Sequence, residues 1–584
     1  MQSVLLPLSR SPYHSLRMTY CYRSLVSALQ AQEHTVRVSG LSTSAQAAWT
    51  FVQNGTTGII GLELMVVSPT LAIMFDNGGT APLRINGYIP LGGALWNMET
   101  NRASPLDLKT NGFCASGGFL SNGSMVFIGG GFVNPGNNVP DEDGLTSIRV
   151  FEPCTAPDGR NCTIFDDPTL LHLAESRWYP TAIRVFDGSL IILGGASAGM
   201  PFFKTRPVNN FEFFPAKDRG IPRPSPLLTR TAPVNMFPRS FALPDGKVFI
   251  VSDSQSALYD IEPNTETTPS SIPNSVRIPN PYDGAATLLP LFPPLYIPEV
   301  VACGGSTARE NSRPFRLSTQ DLHRISGIAR GWQVERMAEG RTLSEMVLLP
   351  GAEVLVINGA STGYSAIGNV RSQCTSPSLT PSLYRPSAPS AQRFTNQDMP
   401  RSRIPRLYHS AVTLTPKGNI LITGSNPNWL IDSTTFFKSG SMPQLRSSEL
   451  RAEHLNPPYM FVDRPVLKSV PTRPGCNQTL SVAVSIPAEL MFPRFKQIAL
   501  MDLGFSSHSF HSSDRLVFMN AEVFSNRTTL SFLTPPNNRV YPPGPGWMFL
   551  TIAGVTSEGV QVMLGSGASP PLPNQGVPIV PISA

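Results

Sequence analysis

Apolar positions along this chain gather in pairs of short runs, each pair folded across a turn that contains glycine or proline. One unit reads as β-rich residues, a turn, β-rich residues again, then small residues or Gly-Gly. Clear copies are GFLSNGSMVFIGGG (118–131), AIRVFDGSLIILGGAS (182–197), SFALPDGKVFIVSDS (240–254), MVLLPGAEVLVINGAS (346–361) and AVTLTPKGNILITGSNP (411–427). Two degenerate copies, LMVVSPTLAIMFDNG (64–78) and AATLLPLFPPLYIPEVVACGGS (285–306), fill the gaps and bring the hairpins to seven. Their turns lie roughly 50 to 70 residues apart, near the kelch period. So small a sheet cannot bury its own faces, and neighbours arranged around a central channel cover them while leaving only short edges. The pattern predicts an all-β chain with a seven-bladed kelch-type β-propeller, rather than an open array of sandwiches.

The repeats fade after about residue 440, and SSELRAEHLNPPYMFVDRP, rich in proline and charge, leads into a different pattern. The runs TLSVAVSI, QIALMDLGF, RLVFMNAEVF, TTLSFLTP, GWMFLTIAGV and GVQVMLG are closely spaced and predict an immunoglobulin-type sandwich. The expected organisation is a leader or extension over 1–47, the propeller over 48–450 and the sandwich over 451–584. The last residues, PPLPNQGVPIVPISA, read as a tail.

Composition sharpens this picture. Charged residues make up only 14%, against 58 prolines and 47 glycines, which favours short strands and turns over long helices. The net charge of +6 is spread along the chain without a basic block, so no nucleic acid partner is expected. No run approaches the ~20 apolar residues of a membrane span. Sequons begin at Asn54, Asn122, Asn161, Asn477 and Asn526 and fit a secreted, extracellular protein, although MQSVLLPLSRSPYHSLRMTYCYRSLVSALQ lacks a continuous signal-peptide core. The seven cysteines, Cys21, Cys114, Cys154, Cys162, Cys303, Cys374 and Cys476, leave one over if the others pair. Cys154 and Cys162 bracket a short polar loop that a local disulfide would close.

Four stretches put Tyr, His or Cys at ends of the predicted strands: NGFCASGG with Cys114, SRWYPT with Tyr179, RLYHSAVTL with Tyr408 and His409, and GFSSHSFHSSDRL with His508 and His511. Taken singly, a buried cysteine, a core tyrosine or a loop histidine explains each. Tyr408 and His409 are adjacent, so on a regular strand they face opposite ways, and a shared site requires irregular backbone.

In combination these segments resemble the fungal glyoxal oxidases, relatives of galactose oxidase. The resemblance rests on ALWNMETNRASPLDLKTNGFCASGGFLSNGSMVFIGG, SRWYPTAIRV, RLYHSAVTLTPKGNILITGSNPN, GFSSHSFHSSDRLV and PPNNRVYPPGPGWMFL, in order from about residue 48 to 566. It implies a seven-bladed propeller, a galactose-oxidase-like (E-set) sandwich and one copper ion near the propeller axis. By motif, Cys114 matches the cysteine that forms a thioether to the radical tyrosine, Tyr179, which would account for the odd thiol. Tyr408 matches the axial tyrosine that acts as base, and His409 and His508 match the imidazole ligands. His508 is preferred to His511 because it lies seven residues before Arg515, the family's spacing. Asp514 stands where relatives often carry Gln. Ser197 falls where galactose oxidase has a stacked tryptophan, which argues against galactose as substrate.

Two imidazoles and two phenols suit tetragonal Cu(II), whereas zinc cannot change oxidation state. Oxidising an aldehyde hydrate or alcohol removes two electrons, one more than a single copper accepts; the resemblance assigns the other to the Cys114–Tyr179 centre. The implied activity converts small aldehydes (glyoxal, methylglyoxal or glycolaldehyde) to carboxylic acids while O2 becomes hydrogen peroxide, in a monomer. The alternatives are a copper-radical oxidase of primary alcohols and, from another class, a non-catalytic propeller that binds glycans or cell wall. The Gly-Gly pairs sit at strand ends without the strand-to-helix context of a dinucleotide site.

Overall fold

The computed structural model describes residues 48–571 except 78–81, 84–91, 133–141, 155, 157, 198–205, 307–320, 327–330, 364–373, 427–447, 491–495 and 525. The leader read at 1–47 and most of the C-terminal tail lie outside the described residues.

Every predicted hairpin forms. Glu63–Val66 pairs with Leu71–Phe75, Ser116–Phe119 with Met125–Ile128, Thr181–Arg184 with Leu190–Leu193, and Arg239–Ala242 with Val248–Ser252. Gly284–Leu288 pairs with Glu299–Gly304, Glu345–Leu348 with Val354–Ile357, and Ser410–Leu414 with Ile420–Gly424. Each pair is the inner half of an antiparallel sheet that two further strands complete, giving seven such sheets among the described residues. The inner strands are buried along all or nearly all of their length, as they must be when both faces are covered by neighbouring sheets. The sheet of Ser410–Leu414 is completed from both ends of the propeller, because Thr50–Thr56 pairs with Arg451–Asn456. That pairing ties the ring shut.

Buried arginines brace several sheets from inside. Arg149, Arg177, Arg341 and Arg406 each donate to a backbone carbonyl, of Gly129, Gly194, Asn358 and Gly424 in turn. Each also faces a carboxylate, Asp166, Glu212, Glu339 or Glu453. A buried guanidinium is tolerated only with such partners.

Beyond the propeller two sheets pack as a sandwich. One contains Val466–Lys468, Thr479–Ser485, Thr529–Leu533 and Ala521–Val523; the other contains Arg515–Met519, Lys496–Asp502, Gly544–Ile552, Val555–Thr556 and Val560–Leu564. Thr479–Ser485 alternates strictly between exposed and buried, whereas Gly544–Ile552 is buried throughout. The sandwich shares its core with the propeller: Leu480, Leu500 and Leu550 belong to one apolar cluster with Phe241, Leu288 and Val300. A buried pair, Arg184 with Asp502 at 2.7 Å, and the bond from the Leu291 amide to the Leu516 carbonyl cross the same boundary.

QIALMDLGF does not stay in one sheet. Its strand ends at Asp502, Gly504 turns the chain at φ +72°, and Phe505–Ser507 with Phe510–Ser512 forms a hairpin that leaves the sandwich. This hairpin pairs with Glu63–Val66 through Leu64 and Met65. It also touches the inner strands of the six other propeller sheets, which places it on the propeller axis.

Candidate active site

The site lies where six inner strands begin. Cys114, Tyr179, Phe237, Asp283, Leu343 and His409 stand one or two residues before those strands, and all six have left-handed backbone, with φ between +40° and +63°. Bulky residues rarely adopt this conformation, at about 1–3 kcal/mol each, so it persists only where surroundings impose it. Hydrogen bonds between entries provide part of that imposition. The Tyr179 amide donates to the Cys114 carbonyl at 3.0 Å, Phe237 to Tyr179 at 2.8 Å, and Leu343 to Asp283 at 2.9 Å. The left-handed turn at His409 is the irregularity that the Tyr408-His409 pair required.

The five residues singled out in the sequence converge. The Tyr179 and Tyr408 hydroxyls lie 2.8 Å apart. His508 Nε2 lies 3.6 Å from Cys114 Sγ, and the donor atoms of Cys114, His409 and His508 fall within 4.8 Å of one another. The His508 ring centre is 5.1 Å from that of Tyr179, 5.2 Å from Tyr408 and 4.7 Å from His409. None of the five is more than 1% exposed. His511, its neighbour in the same motif, instead places Nε2 2.9 Å from Glu345.

Electrostatics suit a cation. Burial lowers His409 to about 3, partly opposed by the Asn426 carbonyl. Burial likewise holds His508 well below its ordinary value, with help from the His409 and Arg239 charges. Both imidazoles are therefore neutral. Burial also raises the Tyr179 and Tyr408 phenols and the Cys114 thiol far above their usual range. Protons stay on these three groups until a positive charge favours their release.

Comparisons with known proteins bear on this arrangement. Residues 92–459 match the family model of the glyoxal oxidase N-terminus, and residues 464–564 match the galactose oxidase-like early set domain. The chain belongs to the glyoxal oxidase family. An aldehyde oxidase GLOX of Vitis pseudoreticulata is 29% identical over 489 residues, covering 80% of this chain and 84% of that one. Aldehyde oxidase GLOX1 of Arabidopsis thaliana is 27% identical over 498 residues, covering 80% and 74%. A solved fungal alcohol oxidase of the AA5 family, in complex with copper, superposes with TM-score 0.65 at 15% identity, over 89% of this chain and 100% of that one.

As a glyoxal oxidase family member this protein is an oxidoreductase whose cofactor is copper, and its residues fit that metal. His409 donates from Nδ1 to the Asn426 carbonyl at 2.8 Å, which leaves Nε2 as the lone-pair nitrogen, buried and without a hydrogen-bond partner. His508 Nδ1 is occupied by Ser507 Oγ, so its Nε2 faces the same space. Residues that the sequence did not flag complete the walls. Trp178 packs edge-on against Tyr179 at 4.7 Å, Phe113 edge-on against His409 at 5.3 Å, and Phe237 lies 4.9 Å from Tyr179. Their signal was positional: FC, WY, MF, YD, TL and YH occupy the same place before six inner strands. Ser197 donates from Oγ to the Arg206 carbonyl at 3.3 Å.

Proposed function

We propose that this protein is a copper-radical oxidase that converts small aldehydes such as glyoxal, methylglyoxal or glycolaldehyde to carboxylic acids and reduces O2 to hydrogen peroxide, acting outside the cell as a monomer. The observation that carries the reading is the 2.8 Å contact between the Tyr179 and Tyr408 hydroxyls, beside the unpartnered His409 Nε2. Tyr179, Tyr408, His409 and His508 would hold the metal. When bound, copper supplies one of two one-electron acceptors and lowers the cost of deprotonating both phenols.

The remaining work falls to side chains. The substrate reacts as the aldehyde hydrate, RCH(OH)2, which loses two protons and two electrons to give RCOOH; O2 gains the same to give H2O2. Tyr408 as phenolate takes a hydroxyl proton from the hydrate. Tyr179, crosslinked to Cys114 and oxidised by one electron, takes the hydrogen atom from carbon. The shared thioether spreads the unpaired electron onto sulfur. Trp178 and Phe237 shield Tyr179 from water, since both are almost fully buried. Ser197 carries no ring to stack over a sugar, which favours small substrates over a hexose.

Peptide mass spectrometry of copper-loaded protein tests the crosslink, which removes two hydrogens when Cys114 joins Tyr179. Peroxide release from methylglyoxal, and from primary alcohols as the rival substrates, is assayed on the same sample. Crosslink with peroxide from the aldehyde supports the reading. Free Cys114 and no peroxide after verified copper loading would point to a binding propeller.

A further inference from the structure

We propose that Glu345 is the positioning residue that sets where His508 stands, by fixing the tip of the 505–512 hairpin on the propeller axis. The inference rests on the reading of His508 as a copper ligand.

His508 and Ser509 are the two central residues of the turn that joins Phe505–Ser507 to Phe510–Ser512, and both are left-handed, at φ +49° and +59°. A two-residue turn of this kind favours Asn-Gly. With His and Ser in those places the turn is strained and cannot hold its own geometry; contacts from outside must fix it.

Those contacts are specific. Glu345 Oε1 accepts the Ser509 amide at 3.1 Å, and Oε2 lies 2.9 Å from His511 Nε2. One carboxylate thus bonds the hairpin at the residue after His508, while its other oxygen lies close against the returning strand without hydrogen-bond geometry. From another sheet, Arg239 Nη2 donates to the His508 carbonyl at 3.2 Å. Glu345 and Arg239 occupy corresponding places, each opening an inner strand two residues after a left-handed entry, Leu343 or Phe237. Glu345 is fully buried, so a lost partner leaves a polar group away from bulk solvent. A ligand must stand within ~0.5 Å of its productive place, and Glu345 acts one residue from it.

The test uses the full chain with Glu345→Ala, Glu345→Gln and Glu345→Asp. Copper(II) affinity is read by competition with a chromophoric chelator, ligand nitrogens by the hyperfine pattern in electron paramagnetic resonance, and the hairpin tip by amide hydrogen exchange in metal-free protein. Glu345→Ala should lose ~10–100-fold in copper affinity, drop one imidazole from the spectrum, and speed exchange at 508–511 while Thr479–Ser485 exchanges as in the wild type. Glu345→Gln keeps an oxygen for the Ser509 amide and should recover most of the affinity. Glu345→Asp keeps the charge but shortens the arm, and should lose affinity as the alanine variant does; it decides the matter if that variant fails to fold. Wild-type affinity, spectrum and exchange in Glu345→Asp or Glu345→Ala would overturn the proposal. A wild-type spectrum without two imidazoles would instead overturn the ligand role of His508, while the exchange data would still report on the clamp.

Discussion

The propeller and the sandwich hold their shares of the site by different means. Cys114, Tyr179, Tyr408 and His409 stand at strand entries, where hydrogen bonds between backbone groups run from one entry to the next, as from Tyr179 to Cys114 and from Phe237 to Tyr179. His508 arrives on a hairpin from the sandwich, and side chains, Arg239 and Glu345, seat its tip. The propeller share is therefore preset by the closed ring, whereas the sandwich share depends on docking. Backbone bonds survive side-chain substitution; a docked tip does not.

The sharpest way to break this comparison is His508→Ala against His409→Ala. Each should lower peroxide release more than 100-fold, beyond the ~10–100-fold that loss of a ligand's hydrogen-bonding partner costs. Hydrogen exchange at the strand entries should stay as in the wild type in both variants; exchange that rises around Cys114 and Tyr179 in His508→Ala would show that the propeller half is not preset. Next in size is Arg184→Met, which strips Asp502 of its buried partner at the junction of the two domains. An uncompensated buried charge should cost about 3–5 kcal/mol in denaturant unfolding, and a loss under 1 kcal/mol would count against docking through this pair.

Cys154→Ser removes the disulfide to Cys162, which closes a loop with a sequence separation of 8 on the outer side of its sheet. Stability should fall by about 2–3 kcal/mol with peroxide release unchanged; a parallel loss of activity would mean that strain at a sheet's outer strands reaches the entries. A pH-dependent effect concerns Asp76, whose carboxyl burial raises from 3.8 to about 8, against hydrogen bonds from the Ile60 and Asn77 amides. A folded-state value above the unfolded one contributes stability that is full below about pH 4 and lost as pH rises through about 8. Wild-type denaturation midpoints should accordingly fall from pH 5 to 8 relative to Asp76→Asn, and equal slopes would refute the assignment.

Much of the fold was legible because a hairpin repeat is a local signal. Even AATLLPLFPPLYIPEVVACGGS, with proline in its turn, forms the predicted pair. The outer strands were less legible, since short exposed runs such as Thr265–Thr267 carry little apolar pattern. The site residues were each ordinary alone, and only their ordered combination in family motifs singled them out. Glu345 and Arg239 escaped notice because a charged residue at a strand start reads as solvent-facing until the strand's burial is known.

The sequence by itself determined the repeat, the all-β class, the change of pattern after about residue 440 and the family motifs, because all of these are encoded in neighbouring residues. Only the tertiary structure decided that QIALMDLGF divides between two sheets, that His508 faces Cys114 while His511 faces Glu345, and that residues 394 positions apart meet. The physical reason is closure. Left-handed entries, a buried carboxylate and a strained hairpin tip are each unfavourable in a short segment, and they become tolerable only when the ring of sheets shuts around them and supplies partners that no local pattern records.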